Sequence, residues 1–174
     1  MPLVTLITGG ARSGKSSHAI ALALAHPATG KRIFIATAEA LDDEMRARIS
    51  HHRATRPAEF ETLETPLELV AALASLGARD EVVVIDCLTL WVANLMGAGL
   101  DDDAIDERAR ALAAALAQTR YASFVVSGEV GDGVVPADAI ARRFRDRLGW
   151  TNQIVARAAD NVLLMVAGYP VRVK

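Results

Sequence analysis

An apolar run, Leu3-Val4-Thr5-Leu6-Ile7, leads straight into Gly9-Gly10-Ala11-Arg12-Ser13-Gly14-Lys15-Ser16, and a helix-like segment rich in alanine and leucine follows. This is G-x-x-x-x-G-K-[ST] in the strand, loop and helix setting that the phosphate-binding P-loop requires. A loop of this kind wraps backbone N–H groups around phosphate oxygens, in conformations and at distances that a Cβ obstructs, hence its glycines. The helix N-terminus adds positive potential. Gly9, Gly10, Ala11, Arg12, Ser13, Gly14, Lys15 and Ser16 are therefore candidate nucleotide contacts. Lys15 is expected to reach the outer phosphates, and Ser16 to ligate the Mg2+ that accompanies them.

The loop also narrows the fold. Further short β-branched runs occur at Arg32–Thr37, Val82–Asp86, Ser123–Ser127 and Val162–Ala167, separated by longer helical stretches. That alternation predicts an α/β fold of the P-loop NTPase type, with a mostly parallel central sheet flanked by helices. The tail Val171–Val173, set off by Gly168-Tyr169-Pro170, is expected to turn back as a short antiparallel edge strand. Thr65-Pro66-Leu67-Glu68 reads as a capping box with proline in the first helical position. Asp101–Asp103 places acids at the start of another helix, whose inward stripe includes Ile105, Leu112 and Leu116.

With 174 residues, residues 1–174 are expected to form one domain with a core of its own. A formal charge of −2 gives no global reason for binding nucleic acid. Cys87 is the single cysteine and cannot form an internal disulfide. The richest apolar run, Asn161 to Gly168, falls far short of the roughly 20 residues that span a bilayer. With no leader-like segment at its start, the chain is expected to be cytoplasmic.

Asp86 closes an apolar strand, where a carboxylate can assist magnesium beside a P-loop or simply cap the strand. His51 and His52, two of four histidines, sit among Arg46, Arg48 and Arg53. Adjacent helical residues point about 100° apart, so the pair is a poor shared metal site. Either both are solvated, or one uses its neutral ring nitrogen to attack an electron-poor phosphorus.

These residues, in order, resemble a known family. Thr8 to Ser16, Ile35-Ala36-Thr37, Leu41 to Met45, Arg48-Ile49-Ser50-His51-His52, Gly128 to Pro136, Arg143 to Asp146, Asn152-Gln153 and Ala158-Ala159-Asp160 together are similar to the bifunctional adenosylcobinamide kinase/adenosylcobinamide-phosphate guanylyltransferases of cobalamin biosynthesis. The resemblance spans nearly the whole chain. It implies phosphorylation of adenosylcobinamide with ATP or GTP, followed by transfer of GMP from GTP to the new phosphate with release of pyrophosphate. His51 matches the histidine that carries GMP covalently. His52, Arg53, Ala54 and Thr55 match a nucleotide-contacting stretch, as do Ala36, Thr37 and Ala38, although relatives often have serine where Ala38 stands. Some relatives have glutamate where Asp86 stands, which leaves open whether that carboxylate meets guanine or magnesium. Glu64 is a further acid near the nucleotide, with helix capping or solvation as its alternative. Glu129, Arg145 and Asn152 lie in matched blocks without an assigned partner. A homotrimer is implied, and no membrane insertion. Two rival functions share the loop: a P-loop kinase acting on another small metabolite, and a non-catalytic GTP-binding assembly module.

Overall fold

A computed structural model describes residues 3–40, 42–54, 56–76 and 81–174, apart from the side chains of Arg48 and His51. Its centre is a seven-stranded sheet in the order β3-β2-β4-β5-β1-β6-β7. The strands are β1 (Val4–Gly9), β2 (Arg32–Ala36), β3 (Phe60–Glu64), β4 (Val82–Asp86), β5 (Ala122–Val126), β6 (Asn161–Val166) and β7 (Tyr169–Arg172). All pairings are parallel except β6 with β7.

Successive side chains of a strand point to opposite faces, so a strand covered on both faces must be apolar throughout. In β4, Val83 and Ile85 enter the larger core, while Val82 and Val84 enter the smaller one. Strand β2 divides in the same way, Ile33 and Ile35 from Phe34. The smaller core is closed by Ala19 and Ala23 of α1 (Lys15–Ala25). On the other face lie α3 (Leu69–Ser75), α4 (Leu88–Gly97), α5 (Asp102–Gln118) and α6 (Ala139–Ala158), which bring Leu69, Trp91, Leu112 and Leu148 into the larger core. Each such side chain contributes about 1.5–3 kcal/mol on burial. The remaining helix, α2 (Asp43–Ala54), buries none of its described residues.

The start of α5 forms as its sequence requires, since the Asp101 carboxylate accepts a hydrogen bond from the Ala104 N–H at 2.9 Å. Three expectations change. Strand β3 was not foreseen. The capping box at Thr65–Glu68 does not form: α3 begins at Leu69, and Glu68 makes no side-chain cap. Its carboxylate instead pairs with Arg108 of α5 at 2.8 Å. The edge strand begins earlier than Val171, because the turn is Ala167-Gly168, both at positive φ (50° and 88°), the geometry that suits a right-twisted two-residue hairpin. Pro170 sits within β7, which pairs on one side only, and an edge strand tolerates its missing N–H. Among the described residues, no helix is long and apolar enough to cross a membrane.

Leu112 is fully buried, whereas Ala114 on the same helix faces solvent. Leu112→Ala should therefore cost about 2–5 kcal/mol in denaturant unfolding, and Ala114→Lys less than about 0.5 kcal/mol. Equal effects would contradict the packing of α5.

Candidate active site

Because β1 to β5 run parallel, their carboxyl ends share one edge of the sheet, where ligand loops of such folds gather. The phosphate loop leaves β1 there. Gly9 has φ +146°, and a Cβ on it would lie 2.7 Å from the Met165 carbonyl oxygen and 2.8 Å from Ser13 Oγ. Gly14 has φ +92°, a conformation L side chains rarely adopt. Gly10, by contrast, has open space around it. The loop leans on the β6–β7 turn, where the Gly168 N–H donates to the Ser13 carbonyl at 3.1 Å. Ala11 and Arg12 are exposed, and Arg12 takes a positive φ of 56°.

Helix α1 starts at Lys15 with neither a capping side chain nor an acid in its first turn. Its positive end is left to an anion. Lys15 Nζ donates to the Gly10 carbonyl at 2.6 Å, folding the ammonium back over the loop. The Ser16 hydroxyl donates to the Asp86 carboxyl at the end of β4. Desolvation raises the Asp86 carboxyl above its ordinary range, while Ser16, His52, Lys15 and Arg56 pull it back down. The same burial, with the Asp86 charge alongside, pushes the Cys87 thiol up to about 11.

The structure thus brings Lys15, Ser16, Asp86 and His52 together, although they come from the start of α1, the end of β4 and α2, far apart in sequence. Arg53 of α2 forms an ion pair with Glu64 at the end of β3, and the N-cap position of α3 is held by Glu68, not Glu64. His51 lies in α2 beside these residues in sequence; its side chain, like the whole of Thr55, is outside the described residues. Ala36 and Ala38 are half-buried at the end of β2, and Ala54 is exposed. Thr37 is buried: its hydroxyl donates to the Cys87 carbonyl at 2.7 Å and accepts from the Cys87 N–H at 2.8 Å. That side chain ties β2 to the Asp86-Cys87 segment. Arg145 pairs with Asp146 at 3.1 Å on α6.

Sequence reasoning missed Arg56. Its guanidinium lies 3.7 Å from the centre of the Phe34 ring and also donates to Thr62. Burial lowers its pKa, and the Asp86 charge opposes that shift. With Arg53, Pro57, Phe60, Thr62 and Glu64 it lines an open cavity of about 550 Å3. No motif marks Arg56; only the repeated arginines after His52 hinted at such a wall.

The donors suit magnesium: a hydroxyl and a carboxylate already in contact are hard oxygen ligands. Among the described residues no three His, Cys, Asp or Glu form a closed cage. An ion that keeps several waters and binds through one or two protein groups plus phosphates needs none.

Strand order, loop and acid define a P-loop phosphate-binding enzyme. Comparison with known proteins resolves which kind. The family model described as cobinamide kinase / cobinamide phosphate guanyltransferase matches residues 5–173. Among curated relatives, the bifunctional adenosylcobalamin biosynthesis protein CobU of Salmonella typhimurium is 41% identical, covering 99% of this chain and 100% of its own length. The corresponding protein CobP of Pseudomonas aeruginosa is 43% identical, with 97% and 96% covered. CobU of Escherichia coli is 40% identical, with 99% and 100% covered. The chain belongs to the cobinamide kinase/cobinamide phosphate guanyltransferase family, a family of transferases.

The raised carboxyl of Asp86 carries a sign for stability. A folded pKa above the unfolded one means that ionised Asp86 costs stability as pH rises through and beyond the ordinary carboxylate range. Asp86→Asn should therefore raise Tm in ligand-free, chelator-treated protein at pH 7, and the gain should vanish toward pH 3. A lower Tm at pH 7 would contradict the burial of this charge.

Proposed function

We propose that the chain phosphorylates the aminopropanol hydroxyl of adenosylcobinamide with ATP or GTP, then transfers GMP from GTP to that phosphate, giving adenosylcobinamide-GDP and pyrophosphate. Family membership supports the pair of reactions and sets aside a merely non-catalytic module. The observation that carries the reading is the meeting of Ser16 with Asp86 while Asp86 also feels Lys15 and His52. Phosphate loop, acid and the His51-bearing helix converge on one site.

In this reading the N–H groups of Gly9–Gly14 and the Lys15 ammonium hold the triphosphate. Ser16 and Asp86 hold Mg2+, which supplies positive charge against the phosphates. Ala36–Ala38, His52 to Thr55 and Glu64 flank the nucleoside. In guanylyl transfer, a ring nitrogen of His51 attacks the α-phosphorus, the bond from that phosphorus to the β-bridging oxygen breaks, and pyrophosphate departs. A phosphate oxygen of the corrinoid then attacks the same phosphorus, and the P–N bond breaks to return the histidine. Arginines along α2 and after it offset the charge that accumulates. The reading includes a cytoplasmic homotrimer, which a molar mass in solution tests.

The deciding experiment uses GTP labelled at the α-phosphate. The protein should acquire an acid-labile, base-stable label, as a phosphoramidate requires. His51→Ala should abolish labelling yet retain phosphorylation of adenosylcobinamide. A stable label on the His51→Ala protein would sink the histidine assignment. Lys15→Ala should lower both steps by about 100-fold or more, because one preorganised donor to the transferring phosphate is removed.

A further inference from the structure

The mechanism above leaves one proton without a destination. A hydroxyl that attacks the outermost phosphorus of a nucleoside triphosphate must lose its proton, and neither Lys15 nor the Ser16–Asp86 pair is suited to take it. Lys15 is a cation, Asp86 is committed to Ser16, and Glu64 is paired with Arg53.

Strand β5 lies between β1 and β4, so the chain that leaves its carboxyl end emerges between the phosphate loop and Asp86. The residue it delivers is Glu129. Its placement is held from several directions. The Ser127 N–H donates to the Ile7 carbonyl and the Glu129 N–H to the Gly9 carbonyl, each at 3.0 Å, so the segment follows β1 into the phosphate loop. On the other side, the Gly128 N–H donates to Thr89 Oγ1 at 2.7 Å. A Cβ on Gly128 would lie 2.9 Å from that same oxygen, so only glycine fits without a shift. Buried Asn152 of α6 accepts from Ser127 Oγ at 2.5 Å and donates to the Gly128 carbonyl at 3.0 Å. Its amide nitrogen is also 3.5 Å from Glu129 Oε1. The carboxyl itself accepts from the Thr8 hydroxyl and lies close enough to Lys15 to feel its charge. Just beyond it, Val134 and Val135 are 95% and 60% exposed.

We infer that Glu129 is the general base of the kinase step, the carboxylate that accepts the proton of the substrate hydroxyl at the phosphate loop. The inference rests on the proposed function. As the hydroxyl oxygen bonds to the γ-phosphorus, its proton passes to the Glu129 carboxylate. The bond from that phosphorus to the β,γ-bridging oxygen breaks, the nucleoside diphosphate leaves, and the proton then goes to solvent. Burial and the Asp132 charge raise the carboxyl above its ordinary range, while Thr8 and Lys15 oppose the rise. A base moved toward the working pH is the more effective one. Asn152, Thr89 and Gly128 act as positioning residues for this carboxylate.

The second reaction needs no such base, because the corrinoid phosphate is already an anion. The two steps therefore separate in one variant. Wild type, Glu129→Gln and Glu129→Asp are assayed for phosphorylation of adenosylcobinamide with ATP, and for guanylylation of preformed adenosylcobinamide phosphate with GTP. Glu129→Gln should lower kcat for phosphorylation by about 10^2- to 10^4-fold, leave the KM for ATP within about threefold, and lose the acid limb of the kcat/KM profile. Guanylylation should fall far less, and Glu129→Asp should recover part of the kinase rate. Equal loss of both steps with weakened nucleotide binding would make Glu129 a support of the loop and overturn the inference. So would a Glu129→Gln kinase that keeps its rate and its acid limb. A wild-type protein that transfers no phosphoryl group to adenosylcobinamide would overturn the functional reading itself.

Discussion

The contact between the Ser16 hydroxyl and the Asp86 carboxyl joins everything this molecule places at the end of its sheet. It links the first turn of α1 to the last residue of β4, across the intervening β5. Such a bridge needs three strands in register and a phosphate loop bent back over them, and the sheet supplies both. Val82–Asp86 runs beside β5 and β2 without a bulge, so Asp86 reaches the edge level with Val126 and Ala36. The loop is bent by Gly9, where nothing larger than hydrogen fits against Met165.

Holding a carboxylate at that place works against stability and for chemistry. Burial takes more water from ionised Asp86 than Ser16, His52, Lys15 and Arg56 make good, which holds its carboxyl above the ordinary range. The neighbouring structure compensates by fixing the backbone around it. Thr37 bonds to both the N–H and the carbonyl of Cys87, and Asn94 Nδ2 reaches the Thr37 carbonyl at 2.7 Å. Those bonds restrain the end of β4 when no ligand is bound, so less ordering is required once a nucleotide arrives.

Much of the architecture was legible in the sequence because buried parallel strands are apolar on both faces, as the Val82–Ile85 run shows. Strand β3 was not, since Phe60-Glu61-Thr62-Leu63-Glu64 has only two apolar residues, without strict alternation, and exposes three of its five residues at the sheet edge. The Thr65–Glu68 capping signal failed for a related reason: a local motif lost Glu68 to Arg108, forty residues away. At the site, the phosphate loop was legible because its motif lies within eight consecutive residues. Arg56 on Phe34 and Asn152 under Gly128 were not, because each acts on a residue more than twenty positions distant, where no spacing rule reaches.

On the proposed function, the same arrangement lets one loop serve attack at two different phosphorus atoms. In the proposed reading, the triphosphate lies against elements of β1, α1 and β4, and the reacting groups come from opposite sides of the loop. Helix α2 arrives from the β2–β3 side, where Arg53 meets Glu64 and His52 acts on Asp86. The Gly128–Glu129 segment arrives from the β5 side, hydrogen-bonded to Gly9. These two flanks differ in packing as well as position. The Glu129 flank is tied to β1, α4 and α6 by short hydrogen bonds, whereas α2 buries none of its described residues. Proton abstraction from a hydroxyl demands a base fixed within hydrogen-bond reach. A residue that carries a nucleotidyl group must instead meet first a nucleotide and then an acceptor, a task suited to a helix with little packing to break.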